Sequence, residues 1–228
     1  MRKLVIAHRG VSSMARENTL EAFQKAIDLR ADMIEFDVRR TRDQRYVIHH
    51  DSHIADKPLS EITCREVREI ARSMGFHVPE LEEALRLACG RISLDIELKE
   101  DGYEREVLDR ICDVLPEADY IVSSFHAGSL EQVKRHRPGV KTGFIFQDAS
   151  ALTTDILEGD TDWLFPFQSL AASEQLERMR RTGKKIAVWT VNDTQQMKRL
   201  LDDNRVEGII TDRADAALAV RAGRKAPD

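Results

Sequence analysis

The sequence predicts an α/β protein, a (β/α)8 TIM barrel carried by a single domain, residues 1–228, with a short insertion after the second strand. Three observations predict it. Short aliphatic segments alternate with helix-period segments almost from end to end, and the connections are short, which implies a parallel sheet. Eight such strand–helix units fit into 228 residues, near the lower size limit of a closed barrel. Polar and charged residues recur at or just beyond the C-terminal ends of the predicted strands: His8, Glu35, Asp37, Glu97, Lys99, Ser124, Trp189 and Thr211. In a barrel that end is the catalytic face. An open doubly wound sheet is the competing arrangement, but no Gly-x-Gly-x-x-Gly follows any strand, and polar strand residues are easier to house inside a barrel.

Leu4 to His8 is a buried strand, ended by Arg9-Gly10. Thr19 caps a helix over about 20–29, with Glu21 in its first turn and Phe23, Ala26 and Ile27 on one face. A strand over 33–38 follows, and Tyr46 to Asp51 extends it or pairs with it. The insertion, about 52–79, is polar and holds one amphipathic helix over 64–71; Pro79 opens the next helix, which ends at Gly90. Beyond it, strands at about 92–98, 120–125, 140–146, 162–166, 185–191 and 207–211 alternate with helices near 103–115, 128–136, 149–157, 173–182, 193–203 and 213–222.

The strand over 33–38 carries the first chemical signal. Alternation puts Glu35 and Asp37 on one face and Ile34, Phe36 and Val38 on the other. Two carboxylates about 7 Å apart on a core-like face must bind a cation or raise each other's pKa. Ser93 to Lys99 repeats the pattern, with Asp95, Glu97 and Lys99 on one face. A lone acidic strand residue is ordinarily a surface group on an edge strand; two alternating pairs at one level of two strands point to a shared ion. Glu35, Asp37 and Glu97 form an all-oxygen set that selects Mg²⁺ or Ca²⁺ over zinc. Asp95 lies a layer deeper and is expected to orient Lys99 or a ligand.

His8 and one of the adjacent pair His49 and His50 are acid–base candidates, since imidazole titrates near working pH. Alternation allows only one of that pair into the pocket and does not decide which. Arg9 and Lys99 are suited to a phosphate anion. Two histidines, a cation and two basic side chains suggest phosphoryl chemistry. Trp189 either stacks on a substrate carbon skeleton or fills the barrel mouth.

Composition excludes other classes. Hydrophobic residues make up 42% and charged residues 33%, and the net charge of −5 gives no support for a nucleic-acid role. Cys64, Cys89 and Cys112 are odd in number and lack zinc spacing, so unpaired thiols in a reducing compartment are expected. The apolar run after Arg2-Lys3 stops at Ala7, too short for a signal peptide core, and no stretch approaches a membrane span. A cytoplasmic location without stable membrane association is the expectation; oligomeric state stays open.

Taken in order, His8-Arg9-Gly10, Glu17-Asn18-Thr19, Glu35-Phe36-Asp37-Val38, His50-Asp51, Glu97-Leu98-Lys99, Ser124-Phe125, Trp189-Thr190-Val191-Asn192 and Gly208-Ile209-Ile210-Thr211-Asp212 resemble the signature blocks of the glycerophosphodiester phosphodiesterases. The resemblance runs from residue 8 to about 215. It implies a (β/α)8 barrel that hydrolyses a small-molecule glycerophosphodiester to glycerol 3-phosphate and an alcohol with one divalent cation, Mg²⁺ or Ca²⁺. By the same resemblance Glu35, Asp37 and Glu97 are the metal ligands, His8 and His50 the acid–base pair, and Arg9 and Lys99 phosphate contacts, with Trp189 beside the substrate. It also implies a route in which one histidine deprotonates the glycerol 2-hydroxyl for attack on phosphorus, the other protonates the leaving alkoxide, and water then opens a cyclic phosphate. Departures occur at Ser52 to Lys57, where relatives often carry a Leu-Asp-Arg-Thr-like stretch, and at His126 and Ala214, where they often carry Asp and Pro. The short insertion leaves little protein for a lid, so weak selectivity for the alcohol is expected. A lysophospholipase D or phospholipase C-like activity is the alternative enzyme reading, and a non-catalytic binding barrel the remote one.

Overall fold

The structure, a computed structural model, describes residues 2–227. Eleven strands and nine α-helices are assigned among the described residues. The barrel strands are β1 (Leu4–His8), β2 (Met33–Arg40), β6 (Ser93–Leu98), β7 (Tyr120–Ser124), β8 (Lys141–Phe146), β9 (Trp163–Pro166), β10 (Lys185–Val188) and β11 (Gly208–Thr211). Each pairs in parallel with its neighbour, and β1 pairs with both β11 and β2, so the eight strands close on themselves as predicted. Helices return the chain between them: α1 (Leu20–Asp28), α3 (Leu81–Ala88), α4 (Glu104–Cys112), α5 (Ala127–His136), α6 (Thr154–Glu158), α7 (Ser173–Arg180) and α8 (Thr194–Asp202), with α9 (Ala214–Arg221) after β11. The segment between β2 and α3 adds β3 (Tyr46–Ile48), antiparallel to the end of β2, the hairpin of β4 (His53–Ile54) and β5 (Lys57–Pro58), and α2 (Cys64–Ser73).

Two layers of apolar contact follow from the alternation. Ile34, Phe36 and Val38 of β2 and Leu94, Ile96 and Leu98 of β6 face outward and pack with helix residues such as Phe23, Leu85 and Val107 in the main core. Ile6, Met33, Ile121, Trp163, Phe165 and Ala187 fill the lower barrel interior. The insertion has its own centre of Val47, Ile54, Leu59, Ile62, Val67 and Val78. Arg16, in the β1–α1 loop, stacks over the Phe76 ring at 3.6 Å and ties the insertion to the barrel mouth.

Boundaries shift where local chemistry is stronger than periodicity. The predicted helix over 149–157 is two pieces, because Asp148 caps a 3-10 turn at Ala149–Ala151 and Thr153 separately caps α6. Pro79 lies outside α3, whose N-cap is Glu80 in a reciprocal capping box with Glu83. β10 stops at Val188 rather than 191, and Trp189 continues only as an isolated bridge to Phe167.

The register positions the site. Across β2 and β6, Glu35 lies opposite Asp95 and Asp37 opposite Glu97. The Tyr103 hydroxyl, fully buried, donates to Val38 O at 2.7 Å and accepts from Lys99 N at 3.1 Å, clamping the C-terminal ends of the two carboxylate-bearing strands together. At the end of β1 the chain turns through two left-handed residues, Arg9 at φ +54° and Gly10 at φ +84°. A side chain at position 10 would meet the Ala22 backbone of α1 at 2.7 Å. Gly10→Ala is therefore expected to cost about 1–3 kcal/mol in chemical denaturation, with catalysis falling too because the same turn aims Arg9. A variant of wild-type stability would refute that account.

Candidate active site

At the C-terminal ends of the strands a cavity of about 120 Å³ is lined on one side by His8, Arg9, Glu35, His50, Glu97 and Lys99, with Asp95 at its wall. The opposite side is apolar: Phe125, Ile145, Phe165, Trp189 and Ile210, with Gln147 as its polar member. Oxygens of Glu35, Asp37 and Glu97 all lie within 4.8 Å of one another. All three residues are buried, and Glu35 Oε1 and Asp37 Oδ1 accept no hydrogen bond. Buried carboxylate oxygens are costly unless a cation meets them; Asp37 Oδ1 has the Lys99 ammonium at 3.2 Å, while Glu35 Oε1 has no hydrogen-bond partner. The set thus fits a hard divalent ion on donor type, spacing and unmet acceptors.

The surrounding cations divide the acids. Asp37 is held at about 2: burial pushes its pKa up, but Lys99, Arg9 and a hydrogen bond from Asn18 Nδ2 at 2.7 Å outweigh it. Glu97 is pushed up to about 8 by burial and Asp37, against the pull of Lys99. Glu35 lies well above the usual carboxylate range, through burial and then Asp37 and Glu97. Lys99 Nζ donates to Glu97 Oε1 at 2.6 Å and lies 3.2 Å from Asp37 Oδ1. Arg9 places its backbone N–H 2.9 Å from Glu35 Oε2, Nε 3.2 Å from Asp37 Oδ2 and Nη1 3.0 Å from Glu17 Oε2.

His8 donates or accepts at Nδ1 to Asp212 Oδ1 at 2.7 Å, and its Nε2 stands 4.0 Å from Glu35 Oε2. Of the adjacent histidines, His50 lines the cavity, while His49 Nε2 turns to His53 O at 3.2 Å. His50 Nδ1 is 2.8 Å from Asp51 Oδ1, and Arg39 Nε holds its carbonyl at 2.7 Å. Burial lowers the His50 pKa; Asp37 opposes this, and Arg9 and Lys99 reinforce it. Trp189 both lines the cavity and packs, donating Nε1 to Phe165 O at 2.8 Å with edge contacts to Phe125 and Phe167.

Of the two roles expected for Asp95, the first falls away: it does not orient Lys99, which is satisfied by Glu97 and Asp37, and both Asp95 oxygens are buried without a hydrogen-bond partner. Burial lifts Asp95 to about 7, with the nearby Ser123 hydroxyl offsetting part of the rise and Asp37 adding to it. Ser124 and Thr211 stand at strand ends but serve the framework: Ser124 Oγ donates to Leu98 O and Thr211 Oγ1 to Asn192 Oδ1. Residue-type reasoning gave no role to Asn18, Asn192 or Asp212. The signal was their place in motifs at strand ends; their partners are distant in sequence.

A closed parallel barrel whose mouth gathers three carboxylates, two histidines, a lysine and an arginine around one small cavity, with Asp37 buried behind them, belongs to the class of phosphate-handling (β/α)8 enzymes. The model of the glycerophosphoryl diester phosphodiesterase family matches residues 8–216, and the chain belongs to that family; it is an enzyme, a phosphoric diester hydrolase. The glycerophosphodiester phosphodiesterase of Caldanaerobacter subterraneus subsp. tengcongensis is 31% identical, over 98% of this chain and 100% of that one. The crystal structure of the glycerophosphodiester phosphodiesterase from Thermotoga maritima superposes with a TM-score of 0.80 at 26% identity, covering 97% of this chain and 99% of that one. An Oleispira antarctica phosphodiesterase, solved in complex with the product sn-glycerol-3-phosphate, shares the fold with a TM-score of 0.84 at 22% identity, over 95% and 96% of the two chains. Among the described residues no helix is long and apolar enough to cross a membrane.

Proposed function

We propose that the enzyme hydrolyses glycerophosphodiesters to glycerol 3-phosphate and an alcohol, with one divalent cation, Mg²⁺ or Ca²⁺, held by Glu35, Asp37 and Glu97. The observation that supports this most is the meeting of three buried carboxylates, two of them with an oxygen that accepts no hydrogen bond, at a cavity that Glu35, Glu97 and two histidines line. His8 and His50 act as the acid–base pair. One takes the proton of the glycerol 2-hydroxyl, whose oxygen attacks phosphorus; the P–O bond to the alcohol breaks and the other histidine protonates the departing oxygen. Water, deprotonated by the second histidine, then attacks phosphorus in the five-membered cyclic phosphate; the bond from phosphorus to the glycerol 2-oxygen breaks and the first histidine returns a proton to that oxygen, leaving glycerol 3-phosphate. Arg9 and Lys99 bind and orient the phosphate oxygens. The cation, when bound, neutralises phosphate charge and so favours attack by an oxygen nucleophile. Trp189 and Phe125 cover the carbon skeleton of the glycerol and exclude water from that side.

A cavity of about 120 Å³ has room for the glycerol phosphate portion, so the alcohol lies toward solvent and is weakly selected. Residues 1–228 act as one catalytic domain, and the three unpaired cysteines accord with work in the reducing cytoplasm. A coupled assay for glycerol 3-phosphate release tests the reading. Several diesters are expected to turn over within about tenfold of one another, since exposed contacts separate substrates by only ~1 kcal/mol. EDTA is expected to stop release and Mg²⁺ or Ca²⁺ to restore it. Full activity in EDTA would refute the cation's part, and one strongly preferred diester would refute the weak selection.

A further inference from the structure

Asp212 follows β11 and meets the end of the neighbouring strand β1, where Ala7 pairs with Thr211. Its Oδ1 meets His8 Nδ1 at 2.7 Å and Ser12 Oγ at 2.9 Å; its Oδ2 accepts from Asn192 Nδ2 at 2.5 Å. Two segments distant from each other in sequence, residues 8–12 and Asn192, thus converge on one carboxylate, which the His8, Asn192 and Ser12 contacts keep ionised, at about 2, despite burial. An ionised carboxylate only accepts, so the hydrogen between it and His8 sits on Nδ1.

The orientation of Asn192 sharpens this. The backbone N–H of Asp212, which can only donate, lies 3.0 Å from Asn192 Oδ1, and the Thr211 hydroxyl donates to the same oxygen at 3.1 Å. Thr211 Oγ1 itself accepts from Arg213 N at 3.0 Å, which fixes its proton toward Asn192. Asn192 is therefore bound to present its amide N–H group to residue 212.

We propose that Asp212, oriented by Asn192 and Ser12, is the positioning residue for His8, fixing its ring and placing its hydrogen on Nδ1 so that Nε2 faces the cavity as the atom that exchanges protons. This rests on the acid–base role given to His8 above. A donor polarity runs through the set: Asn192 donates to one side of Asp212 and His8 to the other, so position 212 must accept on both sides.

That polarity supplies the test. In Asp212→Asn the new amide has one donor and one acceptor end. Its oxygen must face the Asn192 N–H group, so its own NH₂ is driven toward His8 Nδ1 and the hydrogen moves to Nε2. Long-range ¹⁵N–¹H spectra of the neutral imidazole are expected to show Nδ1–H in the wild type and Nε2–H in Asp212→Asn. kcat is expected to fall about 10²–10⁴-fold with KM little changed. In the double variant Asn192→Asp with Asp212→Asn, residue 192 accepts on both its oxygens, residue 212 donates to it, and the new amide oxygen returns to His8. The double variant is expected to restore Nδ1–H and to exceed the single variant in kcat by at least about tenfold, a coupling that independent sites do not show. An unchanged tautomer in Asp212→Asn, or a double variant no better than the single, overturns the proposal. A tautomer that moves as stated with kcat unaltered would instead remove His8 from the proposed chemistry while upholding its positioning by Asp212. Ser12→Ala, which keeps both ends of the polarity, is expected to retain the Nδ1–H form.

Discussion

Glu35→Gln is expected to lower turnover at least about a thousandfold, because several kcal/mol of charge neutralisation at phosphorus translate at ~1.4 kcal/mol per tenfold. It is also expected to make the cation-free protein more stable at alkaline pH. Glu35, Asp95 and Glu97 are all held above the carboxylate range by burial and mutual repulsion. A carboxyl with a raised folded-state pKa binds more protons folded than unfolded, so stability falls as pH rises. The fall begins above about 3.8 for Asp95 and about 4.5 for the glutamates, the ordinary values, and runs through about 7 for Asp95 to about 8 for Glu97. Asp37 and Asp212 titrate near 2 and contribute nothing to the slope in that window. Thermal unfolding in EDTA between pH 5 and 8.5 is expected to show this decline in the wild type, a shallower one in Glu35→Gln, and recovery of the wild type on adding Mg²⁺ or Ca²⁺. A wild type that gains stability with pH in EDTA would contradict the electrostatics. A Glu35→Gln enzyme with wild-type turnover would contradict the ligand set.

His8→Ala and His50→Ala are each expected to reduce kcat by about 10²–10⁴-fold without loss of fold. Both side chains line the cavity rather than the apolar core, so truncation leaves the barrel packing in place. Each histidine acts in both halves of the proposed route, once giving and once taking a proton. Removing either blocks both steps, and the double variant is expected to be little worse than the poorer single one. Circular dichroism and unfolding midpoints separate loss of chemistry from loss of structure. A multiplicative double effect would mean that the two side chains work independently, and retained activity in either single variant would remove that histidine from the route.

Most of the framework could be read from one dimension because the barrel repeats a local rule. Ile34, Phe36 and Val38 pack against helices and Glu35 and Asp37 point inward for no reason beyond strand alternation. The inward carboxylates and Lys99 were legible for the same reason, whereas Arg9 and the two histidines were legible from residue type and motif, since alternation does not separate His49 from His50. What escaped was set by contacts between distant segments or by competing caps. Nothing near Asp95 in sequence tells that Lys99 is already satisfied by Glu97 and Asp37. The link from Asp212 to His8 spans 204 residues. The broken helix around Leu152 reflects two capping side chains that periodicity does not weigh.

The pairing of Glu35 with Asp95 and of Asp37 with Glu97 also limits how this chain can change over evolutionary time. Loops around the mouth can lengthen or shorten at little cost, but removing one residue within either acidic strand would turn its carboxylates out among the helices and its aliphatic side chains into the cavity. Such a slip offers no halfway stage in which the enzyme keeps part of its ion-binding capacity. Descendants of this sequence are free to explore new alcohols at the rim, while the two strands beneath persist at unchanged length or are abandoned together.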